Sequence, residues 1–147
     1  LGLGRIMNLN IKIQLYTVPG QVMYNSTRKL VLRGVDGVAF VADSLKVQKH
    51  KNIESLENLK ENLADEGWDF RQIPLVLQFN KRDLAKSNIP ILSVQEMESD
   101  LNSSLGVPCF EASALRGDGV YDTLREISKR TVKGVVRKMG GKLQQGM

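Results

Sequence analysis

Ile73-Pro-Leu-Val-Leu-Gln-Phe79 runs directly into Asn80-Lys81-Arg82-Asp83. The first seven residues are a mainly apolar run of strand length, the pattern of a strand covered on both faces. The next four are polar and contain Asn-Lys-x-Asp, so a buried strand delivers a charged loop at its carboxyl end. Gly37-Val-Ala-Phe-Val-Ala42 is a second run of the same kind. Between the two, Ile53, Leu56, Leu59 and Leu63 recur at helical spacing and predict an amphipathic helix ending near Gly67. Downstream, a helix is expected from Ser93 to Leu105, with Gly106 stopping it, followed by a short strand over Val107-Pro-Cys-Phe-Glu111. Val120, Leu124, Ile127, Thr131 and Val135 place one buried stripe on a final helix. Strands alternating with helices predict an α/β three-layer domain with a mostly parallel sheet. In such sheets ligands sit beyond the carboxyl ends of the strands.

Upstream, Ile11, Ile13 and Leu15 alternate with Lys12, Gln14 and Tyr16, a period of two that reads as a strand over Ile11 to Tyr16. Asn8-Leu9-Asn10 before it is turn-rich, so Leu3 to Met7 is expected to be the first strand of an antiparallel hairpin. The 147 residues suit one domain, read as residues 1–139, with a tail over 140–147 whose glycines should let it fray.

Composition is ordinary for a globular chain, with 41% hydrophobic and 25% charged residues. No apolar run approaches the ~20 residues of a membrane span and no basic-then-apolar leader is evident, so the cytoplasm is the expected compartment. Cys109 and His50 are the sole representatives of their types, which argues against structural zinc and a Cys/His nucleophile. The net charge of +5 is unevenly placed. From Arg125 onward seven cations face Glu126 alone, a local +6, and the residues before them sum to −1. A solvated basic helix face accounts for this, and weak contact with an anionic surface is the functional alternative. Nucleic-acid binding is not expected, because no aromatic stacking set accompanies the cations.

Three loops at successive strand ends carry the chemistry. In the first, the Asp83 carboxylate can accept from both the ring N–H and the exocyclic amine of guanine, a pair of donors that adenine does not present. Asn80 can bridge the base edge and neighbouring backbone, and the Lys81 stem can cover a ring plane. In the second, Glu111-Ala112-Ser113-Ala114-Leu115, the Ala114 N–H is placed to meet a guanine carbonyl oxygen. In the third, Thr17-Val18-Pro19-Gly20-Gln21, Gly20 lets the main chain approach a terminal phosphate and Gln21 can orient a water for in-line attack on it. Each pattern alone also fits an ordinary polar or Pro-Gly turn. Their order along the chain raises the functional reading.

That order resembles the Ras superfamily. Leu15-Tyr-Thr-Val-Pro-Gly-Gln-Val-Met-Tyr24 and Arg28-Lys-Leu-Val-Leu-Arg-Gly-Val-Asp-Gly-Val38 are similar to the bacterial MglA family of polarity and gliding-motility GTPases. The resemblance runs from Leu3 to about Lys138. It implies a small G-protein fold of the P-loop NTPase kind, GTP and GDP as ligands with Mg²⁺, and a switch between the two nucleotide states. Asn80, Lys81 and Asp83 would bind guanine, Ser113, Ala114 and Leu115 would close over it, and Gly20 would sense the γ-phosphate. Gln21 would be the catalytic residue that positions water, and residues 17–33 would form a switch segment. The implied partners are a roadblock-domain, MglB-like activator and polarity effectors.

Two departures stand out. Thr17 occupies a place where most Ras-like proteins carry a Mg²⁺-supporting Asp, although MglA-like members share the Thr. No Gly-x-x-x-x-Gly-Lys-[Ser/Thr] occurs in the 147 residues, and the sole Gly-Lys, Gly141-Lys142, is followed by Leu143. With Leu1 rather than Met at the first position, the expectation is an N-terminally truncated domain whose phosphate loop and central strand lie upstream. A nucleotide-independent pseudo-GTPase interaction module is the alternative.

Overall fold

The computed structural model describes the backbone of residues 2–6 and 9–145 and the side chains of residues 9–140. Five strands and four α-helices follow one another as β1 (Gly2–Ile6), β2 (Leu9–Lys12), α1 (Asn25–Leu32), β3 (Val38–Asp43), α2 (Lys49–Asp65), β4 (Leu75–Asn80), α3 (Val94–Leu101), β5 (Cys109–Glu111) and α4 (Val120–Gln145). Single 3₁₀ turns lie at Val22–Tyr24, Lys46–Gln48 and Arg82–Ser87.

The mixed α/β architecture with a parallel sheet is present, as β3-β4-β5. Alternation along β4 builds its layers. Leu75, Leu77 and Phe79 join one cluster with Leu32 of α1, Leu56, Leu59 and Leu63 of α2, and Met97 and Leu101 of α3. Val76 and Gln78 are left for the opposite face, where α4 packs and buries Ile127. Every β4 side chain before Asn80 is buried, as expected for a strand covered on both faces. Helix α4 lies close because two glycines make room for it. A Cβ on Gly37 would overlap the Thr131 side chain, and one on Gly134 would press on Pro74. The buried side of α4 includes Thr123 and Ser128 beside Ile127, whereas Val120 is exposed.

The expected hairpin forms, β1 pairing antiparallel with β2 from Gly2↔Lys12 to Ile6↔Leu9. The second strand is shorter than its alternation suggested. The described ladder ends at Lys12; Leu15 and Tyr16 are 64% and 71% exposed. Met7 and Asn8 lie outside the described residues. Helix α3 ends at Leu101 rather than Leu105, because Asn102 turns its side chain to Val107. The Asn102 Oδ1 accepts from Val107 N–H and its Nδ2 donates to Val107 O, both at 2.9 Å. Pro108 has no N–H for the ladder, so β5 starts at Cys109. Helical geometry in α4 continues through Gly140 and Gly141 to Gln145, where fraying was expected. A glycine costs a helix only about 1 kcal/mol, which the turns on either side offset.

Candidate functional site

Parallel pairing brings the carboxyl ends of three strands level. Asp43 is in register with Asn80, and Phe79 with Glu111. The loop after β4 is therefore flanked by the ends of β3 and β5, and its side chains hold on to both.

Asn80 accepts from the Ala114 N–H through Oδ1 at 2.8 Å, tying the first predicted loop to the second. The Ala114 N–H expected to meet a base carbonyl is the donor engaged here by Asn80. Lys81 sits in the left-handed region at φ 68°, an uncommon conformation for a residue with a Cβ and one usually kept where function over-determines it. Its Nζ lies 2.7 Å from Asp43 Oδ2. Asp43 is fixed in turn: Oδ1 accepts from Leu45 N–H at 2.9 Å, and the Asn52 side chain accepts from the Asp43 N–H and donates to its carbonyl. Arg82 staples the loop further, donating through its main-chain N–H to Ala112 O and through its guanidinium to Leu92 O and Glu111. Asp83 is half-buried, and its carboxylate makes no hydrogen bond or ion pair with any described residue. A carboxylate with open acceptors amid tied neighbours suits a ligand with two donors in one plane.

In the second loop Ser113 is buried, its N–H donating to Asp118 O at 2.9 Å and its carbonyl accepting from Arg116 N–H. Leu115 is 89% exposed. Gly119 closes the loop at φ 73°, where a Cβ would overlap the Glu111 carbonyl, so only glycine fits.

The third loop stands apart. Thr17, Gly20 and Gln21 are exposed, and no hydrogen bond or ion pair among the described residues links them to the Asn80–Asp83 loop. Gly20 is tied to α2 instead, through Arg28 of α1 and Ser55. Thr17 offers one neutral hydroxyl, and no group of three His, Cys, Asp or Glu side chains among the described residues converges to hold a metal. Mg²⁺ needs about six oxygens in an octahedron. The residues present do not by themselves make such a site.

Asp43, Asn52, Arg82, Arg28 and Ser55 were not singled out from sequence. Only Asp43 carried a signal, as the lone charge closing an apolar strand. Cys109 is chemically quiet: burial, aided by the nearby Glu98 carboxylate, pushes its thiol up to about 12. A shallow groove of about 400 Å³ lined by Val35, Asp36, Trp68 and Lys138 lies near the start of β3, at the other end of the sheet from these loops. No helix among the described residues is long and apolar enough to cross a membrane.

Comparison with known proteins bears on the whole arrangement. The family model described as Ras family matches residues 4–133. The chain is 49% identical to the mutual gliding-motility protein MglA of Myxococcus xanthus (strain DK1622), over 88% of this chain and 64% of that protein. It is 26% identical to the putative ras-related protein Rab-5B of Dictyostelium discoideum, over 86% of this chain and 55% of that protein. It is 28% identical to the ras-related protein Rab7 of Cenchrus ciliaris, over 82% and 58% respectively. The chain thus spans less than two thirds of the length of these relatives. A matched family model covering most of the chain, an α/β architecture with a parallel sheet and 49% identity to MglA over 88% of the chain lead to one conclusion: the chain belongs to the Ras family, and within it is MglA-like.

Proposed function

We propose that these residues are the base-binding and switch portion of a GTP-binding molecular switch, which in the complete protein hydrolyses GTP and controls bacterial cell polarity or gliding motility. The observation that carries this reading is the open Asp83 carboxylate, held in a loop that Asn80, Lys81 and Arg82 tie to both neighbouring strand ends. Specificity for guanine follows from the chemistry of that carboxylate, which needs two donors in one plane. Gly20 senses the terminal phosphate, Gln21 positions the attacking water, and the segment 17–33 changes shape between nucleotide states. Ser113, Ala114 and Leu115 cover the base. Mg²⁺ accompanies the nucleotide phosphates, with Thr17 as the residue of this chain nearest to that role. A roadblock-domain, MglB-like activator and polarity effectors are the proposed partners. Weak contact of α4 with an anionic surface belongs to the same proposal and is supported by exposed Lys129, Lys133 and Arg137; Arg125 and Arg130 are engaged with Asp122 and Glu126. The nucleotide-independent module has no comparable observation behind it.

The test is competition for labelled GDP on the full coding sequence. GTP should displace the label and ATP should not, and Asp83→Asn should lose that preference by about a hundredfold or more while the fold is retained. Equal displacement by ATP and GTP from the unaltered protein would sink the assignment.

A further inference from the structure

Arg28 is 3% exposed, yet no carboxylate among the described residues pairs with it. Its guanidinium is spent on neutral acceptors. Nη1 donates to Gly20 O and to Ser55 Oγ, and Nη2 to Ser55 O, each at 2.9 Å. Its Nε is buried with no hydrogen-bond partner among the described residues. Burying a cation this way is expensive, and desolvation lowers its pKa. An apolar side chain of similar length would pack α1 on α2 at lower cost. The arrangement is therefore poorly explained by stability and better explained by what the guanidinium holds.

What it holds is one peptide group. Gly20 O accepts from Arg28 at 2.9 Å and from Ser55 Oγ at 3.2 Å, so two donors from two helices converge on it. Because the Gly20–Gln21 peptide is planar, fixing that carbonyl also fixes the direction of the Gln21 N–H and the position of its Cα. On the other side, Gln21 O accepts from Tyr24 N–H at 3.1 Å. The backbone of Gln21 is thus held at both ends while its side chain stays exposed. The platform is α2, anchored in the core by Leu56, Leu59 and Leu63. A second attachment a turn further on, where Asn58 and Asn62 donate to Asn25 Oδ1 at 3.1 and 3.0 Å, keeps α1 from sliding on it.

We infer that Arg28 is a positioning residue for hydrolysis, setting Gln21 through the Gly20 carbonyl with Ser55 as its anchor on α2. This rests on the hydrolytic role proposed for Gln21. Misplacing a water-orienting group by about 1 Å costs on the order of a hundredfold in rate, whereas binding of the base, through other loops, is untouched.

The experiment measures single-turnover GTP hydrolysis and GDP affinity on the full-length protein. It compares Arg28→Met, Ser55→Ala, Ser55→Thr, Gln21→Leu and the double variant Arg28→Met with Gln21→Leu. Arg28→Met should slow hydrolysis by about tenfold or more with GDP affinity unchanged within about twofold, and should add no further loss to Gln21→Leu. Ser55→Ala should show a smaller loss of the same kind, and Ser55→Thr, which keeps the hydroxyl, should restore the rate. Should Arg28→Met not fold, Ser55→Ala takes its place in the cycle. Losses that multiply in the double variant, or a rate that falls in parallel with GDP affinity, would make Arg28 merely structural and overturn the inference. So would a slow Gln21→Leu beside a fully active Arg28→Met, leaving the role of Gln21 intact. Unimpaired hydrolysis by Gln21→Leu would overturn both.

Discussion

Gln21 is an exposed side chain on a restrained backbone, and the hydrolytic role proposed for it would be exercised in the transition state rather than in binding. Its amide can organise a water only when the terminal phosphate and that water are both in place. In the full-length protein Gln21→Leu should cut GTP turnover by about tenfold or more and shift nucleotide affinity little, read by comparing kcat with GDP affinity. Equal turnover by the two proteins would remove Gln21 from the mechanism. At this scale the loop proposed to read guanine stood out in the chain, because Asn80, Lys81 and Asp83 place the donors and acceptors for that chemistry in one short motif. Asp43 was not, since its partner Lys81 lies 38 residues away and the two meet only through the β3–β4 register. Arg28 and Ser55 were illegible for the same reason: an arginine at a helical position looks solvated until the fold buries it.

Among the elements, α3 shows how local chemistry decides a boundary. Ser93 Oγ accepts from the Glu96 N–H at 3.1 Å, and the Glu96 carboxylate accepts from the Ser93 N–H at 2.8 Å, a complete capping box. Ser93→Ala should destabilise the domain by about 1 kcal/mol, seen as a lower urea midpoint with an unchanged slope. The Ser93 N–H, above all other causes, holds the Glu96 carboxyl below its ordinary value. Its contribution is therefore fully present above the unfolded glutamate pKa and is lost as pH falls through the lower folded value. The wild-type advantage over Glu96→Ala, which removes the titrating carboxylate, should shrink in acid, and a gap that widened there would contradict the capping role. The start of α3 was readable because Ser-x-x-Glu is local. Its end was not, because Asn102 chose Val107 over the helix. The Ile11–Tyr16 strand is described only to Lys12, since alternation reports a face and says nothing about how far a ladder runs.

At the scale of the molecule, β1-β2 and β3-β4-β5 are separate sheets, so the described β3 strand has one edge without a ladder partner. The loops proposed for a base and a switch are present in the 147 residues, and a phosphate-loop motif is not. Base contacts select guanine but do not replace the backbone donors and lysine that neutralise β- and γ-phosphates. Residues 1–147 alone should therefore show no GTP-induced rise in melting temperature with Mg²⁺ present, because a ligand stabilises only in proportion to its affinity for the folded form. The open strand edge should also favour association. The full coding sequence should show the shift. A rise of several degrees with the isolated residues would mean that another segment within them cradles the phosphates.

The order of the elements, the burial of β4 and the polar loop Asn80–Asp83 at its carboxyl end were determined by the sequence itself, because each depends on neighbours within a few residues: apolar runs, helical spacing and a motif of four. Only the tertiary structure decided that Asp43 braces Lys81, that Asn80 engages Ala114, and that Arg28 and Ser55 converge on the Gly20 carbonyl. Those pairings arise from strand register and helix packing. They join residues far apart in the chain, and no local pattern encodes the distance between them.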